Sequence, residues 1–189
     1  MGKSTVLTLT LLVIIFLSIP TSLDAGMTVQ LERIEQIGGE HLVNSTMVRV
    51  RKFNRTTFTM NGTGILLLDL DETYEANVKV AYSRLGNNQW NEYPMKIGQK
   101  NACQAMVEEY QQYQYVFIDN TNLPRIPEGT KRFCPIPKGT YWFRDIAPDA
   151  SFVPPVVPAG YWRMTLESWR QGELQGVFRV YARLTKGLI

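Results

Sequence analysis

Along most of the chain apolar and polar residues alternate with a period of two, the pattern of strands that bury one face. Val48 and Val50 stand against Arg49 and Arg51 within 47–53, Phe58 and Met60 against Thr57 and Thr59, and Val78, Val80 and Tyr82 against Lys79, Ala81 and Ser83. Tyr93, Met95 and Ile97 share a face of 90–97. Trp162, Met164 and Leu166 share a face of 160–169, opposite Tyr161, Arg163, Thr165 and Glu167, and Phe178, Val180, Ala182 and Leu184 share a face of 177–184. Further strands are expected over 28–35 and 141–146. The run 65–70 is apolar on both faces, which predicts a central strand. Gly38-Gly39, Gly86-Asn87-Asn88 and Gly172 mark turns, and Asn61-Gly62-Thr63-Gly64 marks a turn or bulge. Short strands at regular spacing predict an all-β fold, an antiparallel sandwich or cup.

One segment departs from that period. Cys103, Met106, Val107, Tyr110 and Gln114 recur at helical spacing, and Asn101 and Gln104 stand as the two members of a capping box. They predict a short amphipathic helix of about three turns with Cys103 on its inner face. Residues 115–118 read as extended and 120–131 as a loop. Pro135 and Pro137 then hold the chain extended after Cys134, before the aromatic strand that begins near Thr140, and Pro154, Pro155 and Pro158 make a stiff edge or connector.

Lys3, the apolar run from Val6 to Ile19, Pro20 and small residues up to Ala25 have the three regions of a secretory signal peptide over 1–25. The remainder, 26–189, is long enough for one domain with a single core. Secretion fits three glycosylation sequons, at Asn44, Asn54 and Asn61. It also makes Cys103 and Cys134, the only cysteines, most simply one disulfide.

The net charge is +3, and the basic residues are scattered among acids, so nucleic acid is not an expected partner. A weak preference for acidic surfaces or lipid head groups remains. Catalysis has little to stand on. His41 is the one histidine, no second histidine or paired thiolate completes a zinc site, and Asp69, Asp71 and Glu72 match no calcium loop. No catalytic residue, metal or cofactor is expected, and a binding protein is expected rather than an enzyme.

Several motifs of the second half carry a likeness. Cys134-Pro135, Gly139-Thr140-Tyr141, the Pro-rich stretch 153–158, Gly160-Tyr161-Trp162-Arg163 and the closing Leu184-Thr185-Lys186-Gly187 resemble the insect secreted chemosensory family usually called CheA/CheB. More distantly they resemble the lysosomal ganglioside activator protein and the ML lipid-recognition group. The resemblance implies an immunoglobulin-like β-cup whose sheets splay around a lipid. For the insect members it implies a role near pheromone or cuticular-hydrocarbon detection, with Cys103 and Cys134 as a pair spanning helix and loop. The activator protein's further disulfides have no counterpart here.

If the sheets splay, their inward faces line a cavity, with Phe58, Leu66, Leu68, Val80, Tyr82, Met95, Trp162, Met164 and Phe178 as the candidate lining. The same residues equally furnish a filled core. Two functions therefore stand: a carrier of an apolar, lipid-like ligand that makes receptor or membrane-surface contacts, or an extracellular interaction module with a solid core.

Overall fold

The computed structural model describes residues 26–187, save 149 and 155. The leader expected at 1–25 lies outside the described residues. Residues 27–185 form one compact unit. A second small unit contributes Gly26, Lys186 and Gly187 to the description, with the Gly187 amide donating to the Gly26 carbonyl at 3.0 Å.

The fold is the all-β sandwich expected. Among the described residues nine strands follow one another: β1 (Met27–Gly38), β2 (Val43–Asn44), β3 (Arg49–Lys52), β4 (Phe58–Leu66), β5 (Tyr74–Ser83), β6 (Asn91–Asn101), β7 (Gly139–Ile146), β8 (Gly160–Arg170) and β9 (Glu173–Lys186). The larger sheet has the order β1-β9-β8-β5-β6, and in the smaller one β4 pairs with β2 and β3 on one edge and β7 on the other. β8 sits at the middle of the larger sheet, antiparallel to β5 and β9. Its hairpin to β9 turns through Gln171 and Gly172, both at positive φ (53° and 80°), the backbone of a tight hairpin whose twist matches the strands.

Of the turn or bulge expected at Asn61-Gly62-Thr63-Gly64, the structure takes the bulge: the segment lies inside β4, with a register shift between Met60 and Gly62. Gly62 has φ 129°, and a Cβ there would meet the Met47 carbonyl oxygen at 2.0 Å, so only glycine lets the neighbouring chain approach this closely. One expectation in the first half is corrected: 65–70 is not a separate central strand. The chain leaves the ladder after Leu66: the Leu67 amide donates to the Leu42 carbonyl, and Leu70 forms an isolated bridge to Ile136.

The helix is present in altered form. An α-turn (α1, Ala102–Ala105) runs into a wide π-turn (Met106–Tyr110), a second α-turn (α2, Gln111–Tyr113) and a 3-10 turn (Gln114–Val116). Asn101 caps it, its side-chain oxygen accepting from the Cys103 and Gln104 amides at 2.9 and 3.2 Å. Gln104 does not reach back; its amide donates to Glu108 instead, so the capping box is half formed. Residues 115–118 are not extended either. Here the Gln114 side chain bonds both backbone groups of buried Ile126 (2.6 and 2.9 Å), and that tertiary link outweighs the local preference of the aromatics for strand.

Cys103 and Cys134 are joined, 31 residues apart, as expected. Closing a loop of that length stabilises the fold by about 3–4 kcal/mol in the chain-entropy account. It ties the helical segment to the turn leading into β7.

Candidate functional site

Among the described residues, two clusters of buried apolar side chains stand out. Leu42, Leu66, Tyr74 and Ala102 make the first, with Val43, Leu70, Ala76, Ile136 and Tyr141 packed against them. Val80, Val157, Trp162 and Leu184 make the second, with Met27, Val29, Val78, Tyr82, Tyr93 and Val153 around them.

In the second cluster the Pro-rich connector folds over one end of the larger sheet. Trp162 packs on Tyr82 (ring centroids 5.0 Å) and edge-on to Tyr93 (4.7 Å), and its indole N–H donates to the Pro158 carbonyl at 3.1 Å. The Tyr82 hydroxyl donates to the Ala159 carbonyl at 3.0 Å. Each polar tip thus has a partner at the end of the connector.

Past Trp162 on β8 itself the burial stops, although Val80 beside Met164 stays buried. Ladder partners Val80, Met164 and Val180 lie side by side, as do Val78, Leu166 and Phe178, and Val78 also pairs with Ile97 on β6. These side chains project to the face that carries both apolar clusters. Yet Met164 keeps 48 % of its surface exposed, Leu166 42 %, and Met95, between Tyr93 and Ile97 on β6, 48 %. On the opposite face of the same central strand Thr165 is only 8 % exposed. The usual order of a half-buried strand is reversed.

The outer face is shielded by its own long side chains, which lie flat over the sheet. Lys79 pairs with Glu167 at 2.9 Å, Arg163 lies over the Trp90 ring at 4.9 Å, and Arg33 lies over the Tyr181 ring at 3.7 Å. Burial pushes the Glu167 carboxyl up, but hydrogen bonds from Lys79 and Asn77 outweigh it and hold the group below the usual carboxylate range. The Glu35 carboxylate, which accepts from the Tyr181 hydroxyl at 2.7 Å and pairs with Arg33 at 2.8 Å, is held low chiefly by that hydroxyl.

Five of the nine candidate lining residues come together on the inner face of the larger sheet, Val80, Tyr82, Trp162, Met164 and Phe178, while Met95 lies on β6 in the stretch where its register with β5 shifts. Leu66 and Phe58 belong to the smaller sheet, Leu66 buried in the first cluster and Phe58 half-buried at the start of β4. Leu68 lies past the end of β4 at 45 % exposure, outside either sheet. Val78, Ile97, Leu166 and Val180 share the inner face without being among the candidates, although their alternation with charged or polar neighbours already marked them.

No metal centre takes shape among the described residues. Asp71 accepts from the Thr73 amide and hydroxyl, Asp69 from the Lys138 amide, and Glu72 from Arg132, so the three carboxylates of that turn are used separately. His41 makes a hydrogen bond with Gln175. Of the sequons, Asn44 and Asn54 are exposed, each side-chain oxygen accepting from the threonine two residues on, whereas the Asn61 amide donates to Thr59 and its oxygen accepts from the Asp145 amide. All three lie on the smaller sheet or the turn between β3 and β4.

Residues 76–164 match a family described as "Protein of unknown function (DUF1091)". The match opens inside β5 and closes in β8, so it takes in Val80, Tyr82, Met95, both cysteines, Trp162 and Met164. Comparison with curated proteins finds no match.

Proposed function

We propose that the protein is a secreted, non-enzymatic carrier that holds an apolar ligand (a lipid, hydrocarbon or pheromone-like molecule) against the inner face of its larger sheet. One observation carries this reading: apolar Met164 and Leu166, at the centre of the sheet and between two buried clusters, remain nearly half exposed while polar Thr165 behind them is covered. Fully burying an aliphatic or thioether side chain is worth about 1.5–3 kcal/mol, and each methylene of a ligand adds about 0.8 kcal/mol. An acyl or hydrocarbon chain laid along 95, 164 and 166 gains both contributions. The chain's likeness to CheA/CheB proteins and to the ML group supports the same occupant, and a chemosensory role is part of the proposal. The disulfide, the sequons and the leader-like N-terminus support export.

The test is native mass spectrometry, with lipid extraction, of the exported and deglycosylated protein. A solvent-released mass, or uptake from a fatty-acid, hydrocarbon and glycolipid panel that weakens in Met164→Lys, is the expected result. A clean apoprotein that takes up nothing from the panel sinks the carrier and leaves an interaction module.

A further inference from the structure

Two basic residues stand side by side at two places in the chain, Arg51-Lys52 and Lys131-Arg132. All four residues are exposed, but their backbones differ. Arg51 and Lys52 lie in β3, paired in the ladder with Thr59 and Phe58 of β4. Lys131 and Arg132 lie in a span, 122–135, that has neither helix nor strand. Irregular spans longer than about 12–15 residues are uncommon in compact domains, and those that occur are mostly functional or disordered. The carrier function gives this span no task.

Both shoulders of the span are fastened to the body, and its middle is not. On the first shoulder Ile126 is 1 % exposed and both its backbone groups bond the Gln114 side chain, the Tyr110 hydroxyl donates to the Pro124 carbonyl, and the Thr121 hydroxyl donates to the Trp142 carbonyl. On the second, Cys134 is joined to Cys103, Ile136 bridges Leu70, and the Lys138 amide donates to Asp69. Between them the Thr130 amide closes a turn on the Pro127 carbonyl at 3.2 Å. Gly129 has φ 79°, and a Cβ there would meet nothing within 4 Å, so the turn stands clear of the body. Arg132 pairs with Glu72 at 2.6 Å, but the two side chains are 76 % and 59 % exposed, and a pair so exposed holds the chain weakly. Lys131 stands in no ion pair among the described residues.

We propose that Lys131-Arg132 is a processing site, where a serine endoprotease of the secretory route that reads paired basic residues hydrolyses the Arg132–Phe133 peptide bond. Water is the co-reactant: its oxygen completes the Arg132 carboxylate, and the released nitrogen becomes the Phe133 amine. Such a protease takes the substrate backbone extended and free of a ladder, and pairs the two cations with its own carboxylates. Exposed loop tips are where nicking concentrates. The span at 131–132 meets these needs, and the strand at 51–52 does not. Cleavage leaves one chain ending at Arg132 and one beginning at Phe133, each held by its own shoulder and both joined by Cys103–Cys134, so the fold survives the cut. The inference rests on the export part of the proposed function and not on the ligand.

The test expresses the full chain in a secreting eukaryotic cell and compares the exported, deglycosylated protein before and after reduction, by mass spectrometry and N-terminal sequencing. One species is expected before reduction and two after it, the shorter beginning Phe133-Cys134-Pro135-Ile136. Lys131→Gln/Arg132→Gln is expected to stay a single chain after reduction. Arg51→Gln/Lys52→Gln, which removes the pair held in β3, is expected to be cut as before. An exported chain that stays whole on reduction overturns the site and leaves export standing, whereas a chain retained in the cell overturns both. A cut that persists in Lys131→Gln/Arg132→Gln, a new N-terminus at Phe53, or fragments that separate without reduction also overturns it.

Discussion

The two faces of the larger sheet are made by the same strands, residue by alternate residue, yet they solve the burial problem in opposite ways. The outer face is polar and covered: arginines lie over aromatic rings, a Lys79–Glu167 pair bridges neighbouring strands, and Thr165, Ala81 and Ser83 are buried. The inner face is apolar and, at Met164 and Leu166, uncovered. Polarity therefore does not say which face is closed. What closes a face is whether something lies across it, and on the inner side the connector at 153–158 reaches Trp162 but leaves Met164 and Leu166 open.

The largest effect expected is at the closed end of the inner face. Trp162→Ala removes an aromatic held by two tyrosines and the Pro158 carbonyl, and a loss of about 3–5 kcal/mol is expected in urea denaturation. A smaller loss places that end, too, in the open region and breaks the comparison. On the outer face, Glu167→Ala strips Lys79 of its partner at a well-shielded position, and a cost of about 1–2 kcal/mol is expected from the same measurement. Met164→Ala, although it truncates an inward apolar side chain at the centre of the sheet, is expected to cost under about 1 kcal/mol, against about 2–5 kcal/mol for a buried methionine. If Met164→Ala proves costlier than Glu167→Ala, the inner face is filled and the inversion is wrong.

The smallest effect is electrostatic. Glu35 has its folded pKa lowered, so its contribution is present at neutral pH, begins to fall below the ordinary carboxylate pKa and is lost as pH drops through the folded value. Glu35→Gln should flatten that acid limb slightly, because the carboxylate is a third exposed and screened. Away from the sheet, Tyr110 serves as an alkaline contrast. Burial pushes its phenol up to about 12, and its hydroxyl donates to the Pro124 carbonyl at 2.8 Å. Its stabilisation is complete below the ordinary tyrosine pKa and is lost as pH climbs to about 12, so Tyr110→Phe should remove this alkaline limb and leave the acid one unchanged.

Strands 77–83, 160–169 and 177–184 were legible because one face is apolar and the other charged, so a single register satisfies both. The Asn101 cap was legible because its side chain acts on amides two and three residues away. The half-formed capping box was not, since Gln104 had a competing acceptor in Glu108 a turn further on. The strand misread at 65–70 and the extended segment misread at 115–118 share one cause. Both are locally rich in strand formers, and both are redirected by distant groups: the Leu42 and Ile136 backbones for the first, Ile126 for the second.

The sequence by itself determined the alternating strands, the inward set of apolar residues and the one available disulfide, because each rests on neighbours in the chain or on there being only two cysteines. Only the tertiary structure decided that Trp162 is buried and Met164 is not. They are two residues apart on one face, so local pattern treats them alike. Their difference comes from where the connector and the smaller sheet lie across the larger one, a matter of distances between segments remote in sequence.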